Sequence, residues 1–175
     1  MDRLGVACVS LLVVLLVMGA ELLRSRRNEA RLRVLGAWEP PDDVYRTMQW
    51  AYPAAFVLMA AEGAAIGPEP GAMTLAGVAV FAASKLLKVW AIASLGVRWT
   101  FRVLVVPGAP LVTQGPYAFA RHPNYIAVVG ELVGMALVVG ARISGPIATV
   151  LFSLLIRHRI HVENRALGTS PAPER

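Results

Sequence analysis

The sequence holds one cysteine in 175 residues, Cys8, and it lies inside an apolar run. An intrachain disulfide and a cysteine-based metal site are both excluded. No HExxH or similar zinc motif appears, and no glycine-rich nucleotide fingerprint of the soluble type. Any cofactor site must therefore be assembled from loops and helix ends. Internal repeats are absent as well. Charge is scarce: 16% of residues are Asp, Glu, Lys or Arg against 57% hydrophobic, too apolar a balance for an ordinary soluble domain built on one core. The formal net charge is +6, but the basic residues are bunched beside apolar runs rather than interleaved with aromatics on a stripe. That distribution suits membrane orientation and argues against a nucleic-acid partner.

What the sequence does have is long apolar runs. A bilayer core takes roughly 20 mostly apolar residues per helix. Runs at about 4–23, 50–66, 73–95, 125–139 and 143–156 are read as spans. The first carries Glu21 near its end and is followed directly by Arg24, Arg26, Arg27, Arg31 and Arg33. That is a stop-transfer pattern rather than a cleavage region, so the run is expected to stay as an anchor. The strings GPEPG (67–71) and GARISGP (140–146) read as tight turns between antiparallel helices. The last two spans are short and form a tilted hairpin. The expected fold is all-α: one polytopic integral membrane domain over 1–175 with about five transmembrane helices, ending in a disordered tail at 168–175.

Loop charges give the orientation, because cytoplasmic loops are enriched in Lys and Arg. The segment after the first span is arginine-rich, whereas the loop after the second holds Glu69 and no basic residue. Arg98, Arg102 and Arg121 follow the third span, Arg142 alone follows the fourth, and Arg157, Arg159, Arg165 and Arg175 lie in the C-terminal segment. Rich and poor loops alternate if there are five spans, with the N-terminus outside and the C-terminus cytoplasmic. Four spans would put the two polar clusters of the chain on opposite sides.

Those clusters are GPYAFARHPNY (115–125) and the segment from Arg157 to Arg165, joined by the apolar hairpin. Ionisable groups at a membrane edge need a partner or a task. His122 followed by Pro123 reads as a helix start, whose free N–H groups suit an anionic ligand group. A hydrogen-bonded structural histidine is the competing reading. Arg159 and Glu163 share a helix face at a spacing of four, either as a plain ion pair or as site residues. His158 and His161 lie near His122 in kind, but no metal motif joins them, and no metal site is expected. Lys88 is expected to snorkel, and Lys85 to pair with Glu62 or Glu131. Trp38, Trp50, Tyr52 and Trp99 fall near span ends, as interfacial aromatics do, and are given no chemistry.

The string PLVTQGPYAFARHPNY, the apolar hairpin and then RIHVEN resemble the isoprenylcysteine carboxyl methyltransferase family. RRNEARLRVLGAWE and LGVRWTFRVLVVPGAPLV are similar to its bacterial branch, which includes methyltransferases of alkylpyrones and alkylresorcinols. The resemblance covers about 26–167. It implies an integral membrane enzyme that uses S-adenosylmethionine, with a cytoplasmic-facing cofactor pocket. Carried over residue by residue, it implies that Leu111, Val112, Tyr117, Arg121, His122, Pro123, Asn124, Tyr125 and Glu163 bind the cofactor. Arg159 and Glu163 are the implied catalytic pair, with Arg159 at the substrate end. Eukaryotic members carry a second glutamate where this chain has Asn164, a departure that favours the polyketide-lipid branch over prenylcysteine.

Methyl transfer from a sulfonium needs positioning and charge management more than a nucleophilic side chain. An acidic enol or phenol beside Arg159 would be held as an oxyanion, with no dedicated base. The implied partners are a lipid-like small-molecule acceptor and membrane lipids. Two other classes stand beside this one. A membrane sterol-type reductase would bind NADPH, with Arg121 on its 2′-phosphate. A non-catalytic membrane module would use the polar loops for a protein partner.

Overall fold

Asp2 caps the first helix by accepting the Gly5 amide at 2.8 Å, and nothing breaks the run that follows until Gly36. In this computed structural model, which describes residues 2–67 and 70–168, α1 runs Arg3–Val34. At 32 residues it is about 48 Å long, well beyond an apolar bilayer core of about 30 Å. The arginines after the first apolar run are therefore a continuation of the helix, not a loop. The buried positions of α1 are Ala7, Val14, Glu21, Ser25, Asn28 and Leu32. One stripe thus turns from apolar to polar halfway along.

Four more helices follow: α2 (Tyr45–Ile66), α3 (Ala72–Leu95), α4 (Pro123–Val139) and α5 (Ser144–Gly168). Two 3-10 turns, Gly96–Arg98 and Gly115–Ala118, interrupt the polar segment between α3 and α4. No strand forms among the described residues; Trp38 and Val105 make one isolated antiparallel bridge that ties the α1–α2 loop to that segment. The protein is all-helical, as expected. By length and composition α1 and the stretch Ala72–Arg98 qualify as membrane-crossing among the described residues; α4 is apolar but shorter. The fifth apolar run does not stop at its basic cluster: α5 continues through it to Gly168, the first residue of the expected tail. The remainder of that expected tail, 169–175, and residues 68 and 69 of the GPEPG turn lie outside the described residues.

The tightest packing joins α3 and α4, which run antiparallel on small residues. A Cβ on Gly134 would sit 2.7 Å from the Phe81 amide nitrogen, and one on Gly77 would sit 2.5 Å from the Val138 nitrogen. Small residues let backbones approach closely where lipid supplies no hydrophobic drive to pack. Around this pair, Phe56 and Met59 of α2, Leu132 and Met135 of α4, and Phe152 and Ile156 of α5 form the core. Leu12, Leu16, Leu75, Leu86, Leu151 and Leu154 stay exposed on the outside, an apolar exterior that suits lipid rather than water.

Inside the bundle four charges close into a ring. Lys85 Nζ reaches Glu21 Oε1 at 3.0 Å and Glu131 Oε2 at 2.9 Å; Lys88 Nζ reaches Glu21 Oε2 at 2.8 Å and Glu131 Oε1 at 3.3 Å. Tyr52 of α2 donates to Glu131 Oε2 at 2.7 Å. Burying charge is tolerable only when each is paired, and here every carboxylate oxygen has a lysine. Two expectations are corrected. Lys88 does not snorkel: it is 2% exposed, because Glu21 and Glu131 neutralise it in place. Of the two carboxylates proposed for Lys85, Glu131 is the partner. Glu62 instead accepts the Ile143 and Ser144 amides at 2.9 and 2.6 Å, capping the start of α5.

Candidate active site at the Tyr125 bridge

The polar segment reaches α4 through a close approach that requires glycine. Gly115 has φ +61° and lies against Ser94 and Trp90 near the end of α3, where a Cβ would collide with the Ser94 side chain. The 3-10 turn that follows therefore hugs α3 and fixes where Tyr117 and His122 emerge. Pro123 is the first residue of α4 and loses no hydrogen bond there, while the His122 carbonyl accepts the Tyr125 amide at 3.1 Å. From the other side, α5 carries Arg159 and Glu163 on one face.

These pieces meet at one phenol. The Tyr125 hydroxyl accepts from Arg159 Nε at 2.9 Å and donates to Glu163 Oε2 at 2.8 Å. The plain ion pair, one of the two readings of Arg159 and Glu163, is thus replaced by a tyrosine bridge. His122 Nδ1 lies 3.8 Å from the same Glu163 oxygen, and its ring tilts against Tyr125 with centroids 5.5 Å apart. His122 Nε2 is buried with no hydrogen-bond partner among the described residues.

Arg159 is 5% exposed and held on every nitrogen. Besides Tyr125, the Phe101 carbonyl accepts from Nη2, and Nη1 faces Asp43 Oδ1 at 3.4 Å and Met48 Sδ at 3.8 Å. Burial alone would lower its pKa, but Tyr125, Asp43 and Glu163 outweigh this and the pKa is raised, so the guanidinium stays charged. Burial, with the Glu163 charge added, pushes the Tyr117 phenol up and keeps it neutral. The segment 96–101 is pinned by the polar half of α1: Asn28 donates to the Trp99 carbonyl at 2.8 Å, and Ser25 Oγ accepts the Phe101 amide at 2.7 Å.

Two hollows meet at this bridge. A cavity of about 400 Å³ lies among α1, α2, α4 and α5, with Met18, Leu22, Met48, Val128 and Phe152 on its walls and Glu21 and Lys88 of the charged ring at one side. A smaller, more polar cleft of about 120 Å³ lies against the 98–105 segment. Thr100, Asn124, Tyr125 and Arg159 line both, so they form the partition.

Of the residues singled out from sequence, Tyr117, His122, Asn124, Tyr125, Arg159 and Glu163 line the cleft. Leu111, Val112, Arg121 and Pro123 do not: Pro123 is buried as the helix starter, whereas Leu111 and Arg121 are exposed. His158 and His161 are exposed and line neither hollow. Two aromatics set aside as interfacial belong inside. Tyr52 borders the large cavity, and Trp99, 2% exposed, lines the cleft and donates from Nε1 to Asn124 Oδ1 at 3.2 Å. Asp43, Ser25 and Asn28 were missed. For the last two a signal existed: Glu21, Ser25 and Asn28 recur at helical spacing on the face that Ala7 and Val14 begin.

The cleft's groups fit S-adenosylmethionine chemically. Glu163 suits its cationic ammonium, the orphaned His122 Nε2 is placed for a further polar contact, and Tyr117 offers an aromatic face for a base.

Residues 75–169 match the isoprenylcysteine carboxyl methyltransferase (ICMT) family. The uncharacterized protein YpbQ of Bacillus subtilis is 31% identical over 159 residues, covering 90% of this chain and 95% of YpbQ. An uncharacterized protein of Haemophilus influenzae is 24% identical over 93 residues, 53% of this chain and 54% of that one. No solved structure matches.

Proposed function

The chain belongs to the isoprenylcysteine carboxyl methyltransferase family, a family of membrane methyltransferases, and on that premise we propose that it transfers a methyl group from S-adenosylmethionine to an oxygen of a lipophilic acceptor. The acceptor class is an alkylpyrone, an alkylresorcinol or a prenylcysteine-like carboxylate. The observation that carries the reading is the partition: Tyr125 and Arg159 separate a smaller, more polar cleft from a larger, mostly apolar cavity. A water-soluble donor and a greasy acceptor need such a pair of chambers with a shared wall.

The cofactor, when bound, supplies an activated methyl on a sulfonium. Glu163, His122, Asn124 and Tyr117 hold it in the cleft. Arg159 presents a fixed positive charge to the acceptor oxygen and stabilises it as an oxyanion, so that no side chain has to remove a proton during transfer. Because the guanidinium is already oriented by its protein partners, little reorganisation accompanies the reaction. Asn164 lies exposed beside Glu163 on α5 and adds no second negative charge, in keeping with the polyketide-lipid branch. The charge alternation of the loops supports five spans with the N-terminus outside and the site facing the cytoplasm.

The test is binding of radiolabelled S-adenosylmethionine to detergent-purified protein, with excess NADPH as competitor and His122→Ala as control. Saturable binding that NADPH leaves intact and the variant loses is expected. No binding, or displacement by NADPH, overturns the proposal.

A further inference from the structure

We infer that Asp43, in the loop between α1 and α2, is a positioning residue of the active site: it fixes the guanidinium of Arg159 so that a single direction is left for the acceptor oxygen. The inference rests on the acceptor role of Arg159 proposed above. Asp43 lies outside the stretch that matches the family, and nothing in its local sequence marks it.

A guanidinium has five N–H donors in one plane. In Arg159, Nε is used by Tyr125 Oη at 2.9 Å, Nη2 is used by the Phe101 carbonyl, and Nη1 faces Asp43 Oδ1 at 3.4 Å with Met48 Sδ at 3.8 Å. Nη1 donates to the Met48 thioether, a weak acceptor, so the ionic contact with the Asp43 carboxylate is the stronger hold on the Nη1 edge. Without it, the plane is held firmly at Nε and Nη2 only. The side chains of Asp43 and Arg159 are 2% and 6% exposed, so water does not replace the contact.

Asp43 is itself fixed. Its Oδ2 accepts the Val103 amide at 2.8 Å and its Oδ1 accepts the Tyr45 amide at 3.1 Å. The loop around it is fastened to the same segment by the Trp38–Val105 bridge and by Glu39 to Arg102 at 2.6 Å. The carboxylate therefore reports the position of 101–103, which supplies the Phe101 carbonyl, and transmits it to Arg159. Two of the three held edges of the guanidinium, Nη1 and Nη2, are referred to one piece of backbone.

Because Asp43 also serves backbone amides, a loss of activity alone would not separate positioning from folding. The decisive experiment is a double-mutant cycle of Asp43→Asn and Arg159→Lys on the full chain in nanodiscs. Three readouts are taken: S-adenosylmethionine affinity, methyl transfer to 5-pentadecylresorcinol, and the ¹⁵N spectrum of arginine Nε, in which Arg159 is assigned by its loss in Arg159→Lys. Asp43→Asn is expected to bind S-adenosylmethionine within about twofold of wild type, to lose about tenfold in kcat/KM, and to broaden the Arg159 Nε resonance. In the Arg159→Lys background the same change is expected to cost less than about threefold, since a residue acting through Arg159 has nothing left to act on. Equal effects in both backgrounds, or an unchanged Nε resonance in folded Asp43→Asn, overturn the inference. If Asp43→Asn does not fold, Asp43→Glu replaces it, and an unaltered Nε resonance in that longer carboxylate overturns the inference too. Wild type that binds S-adenosylmethionine but methylates no phenol overturns the phenolic acceptor reading instead; the resonance then decides on Asp43 by itself.

Discussion

Arg159 and Glu163 sit one turn apart on α5 and are joined through the hydroxyl of Tyr125, which takes a hydrogen bond from the first at 2.9 Å and gives one to the second at 2.8 Å. A group that touches both chambers in this way ties the alignment of Arg159 to that of Glu163.

Tyr125→Phe keeps the ring and removes the bridge. Hydrogen bonds to charged groups contribute about 1.5–3 kcal/mol, so a loss of about ten- to a hundredfold in kcat/KM is expected, with the helical content unchanged. Steady-state methyl transfer measured beside circular dichroism checks it. Activity within twofold of wild type would show that the two chambers are aligned without the phenol.

The charged ring gives a stability prediction. Lys88→Met leaves Glu21 and Glu131 to share Lys85, and breaking a buried pair on one side costs about 3–5 kcal/mol. Adding Glu21→Gln to Lys88→Met restores charge balance and is expected to recover part of the lost melting temperature in detergent. A double variant less stable than the single would contradict the ring as a neutral unit.

At the α3–α4 contact, Gly134→Leu forces a side chain against the Phe81 backbone, where even a Cβ would sit at 2.7 Å. Overpacking of this kind costs about 1–3 kcal/mol, more where backbone has to move. Thermal unfolding should fall by several degrees, and the Gly134→Ala variant should fall less.

A fourth prediction concerns pH. The Tyr117 phenol is pushed up from its ordinary value by burial and by Glu163, and Arg159 is raised by Tyr125, Asp43 and Glu163 despite burial. Raised values keep the phenol neutral and the guanidinium charged, so neither group titrates between about pH 6 and about pH 9. Tyr117→Phe is therefore expected to scale the pH–rate profile without changing its shape in that window. A limb that vanishes in the variant would show that the phenol ionises there.

Much of the helical plan was readable because prolines, glycines and apolar runs act locally. Pro123 starts α4, Gly140 ends it with φ +69°, and the i,i+4 spacing put Arg159 and Glu163 on one face. The supports of the site were not readable in that way. Asp43 lies over a hundred positions from Arg159, and a short acidic loop gives no hint of its partner. Lys88 looked like a snorkelling residue because its partner Glu21 is on another helix. Leu111, Val112 and Arg121 followed from motif likeness and are not among the residues that line the cleft. Arginine clustering marked the end of the apolar run in α1 but not the end of the helix, since arginine is a good helix former.

The ring of Glu21, Lys85, Lys88 and Glu131 also constrains how the chain is made. During synthesis α1 and α3 leave the ribosome before α4, so for a time one carboxylate faces two lysines and the nascent bundle carries a surplus positive charge. A charged side chain at mid-helix resists insertion by about 2.5–3.5 kcal/mol on translocon scales. Glu131 on the fourth helix completes the neutralisation of Lys85 and Lys88, and it lies on the same helix as Tyr125. A chain cut short before α4 would leave that charge exposed, a ready mark for quality control.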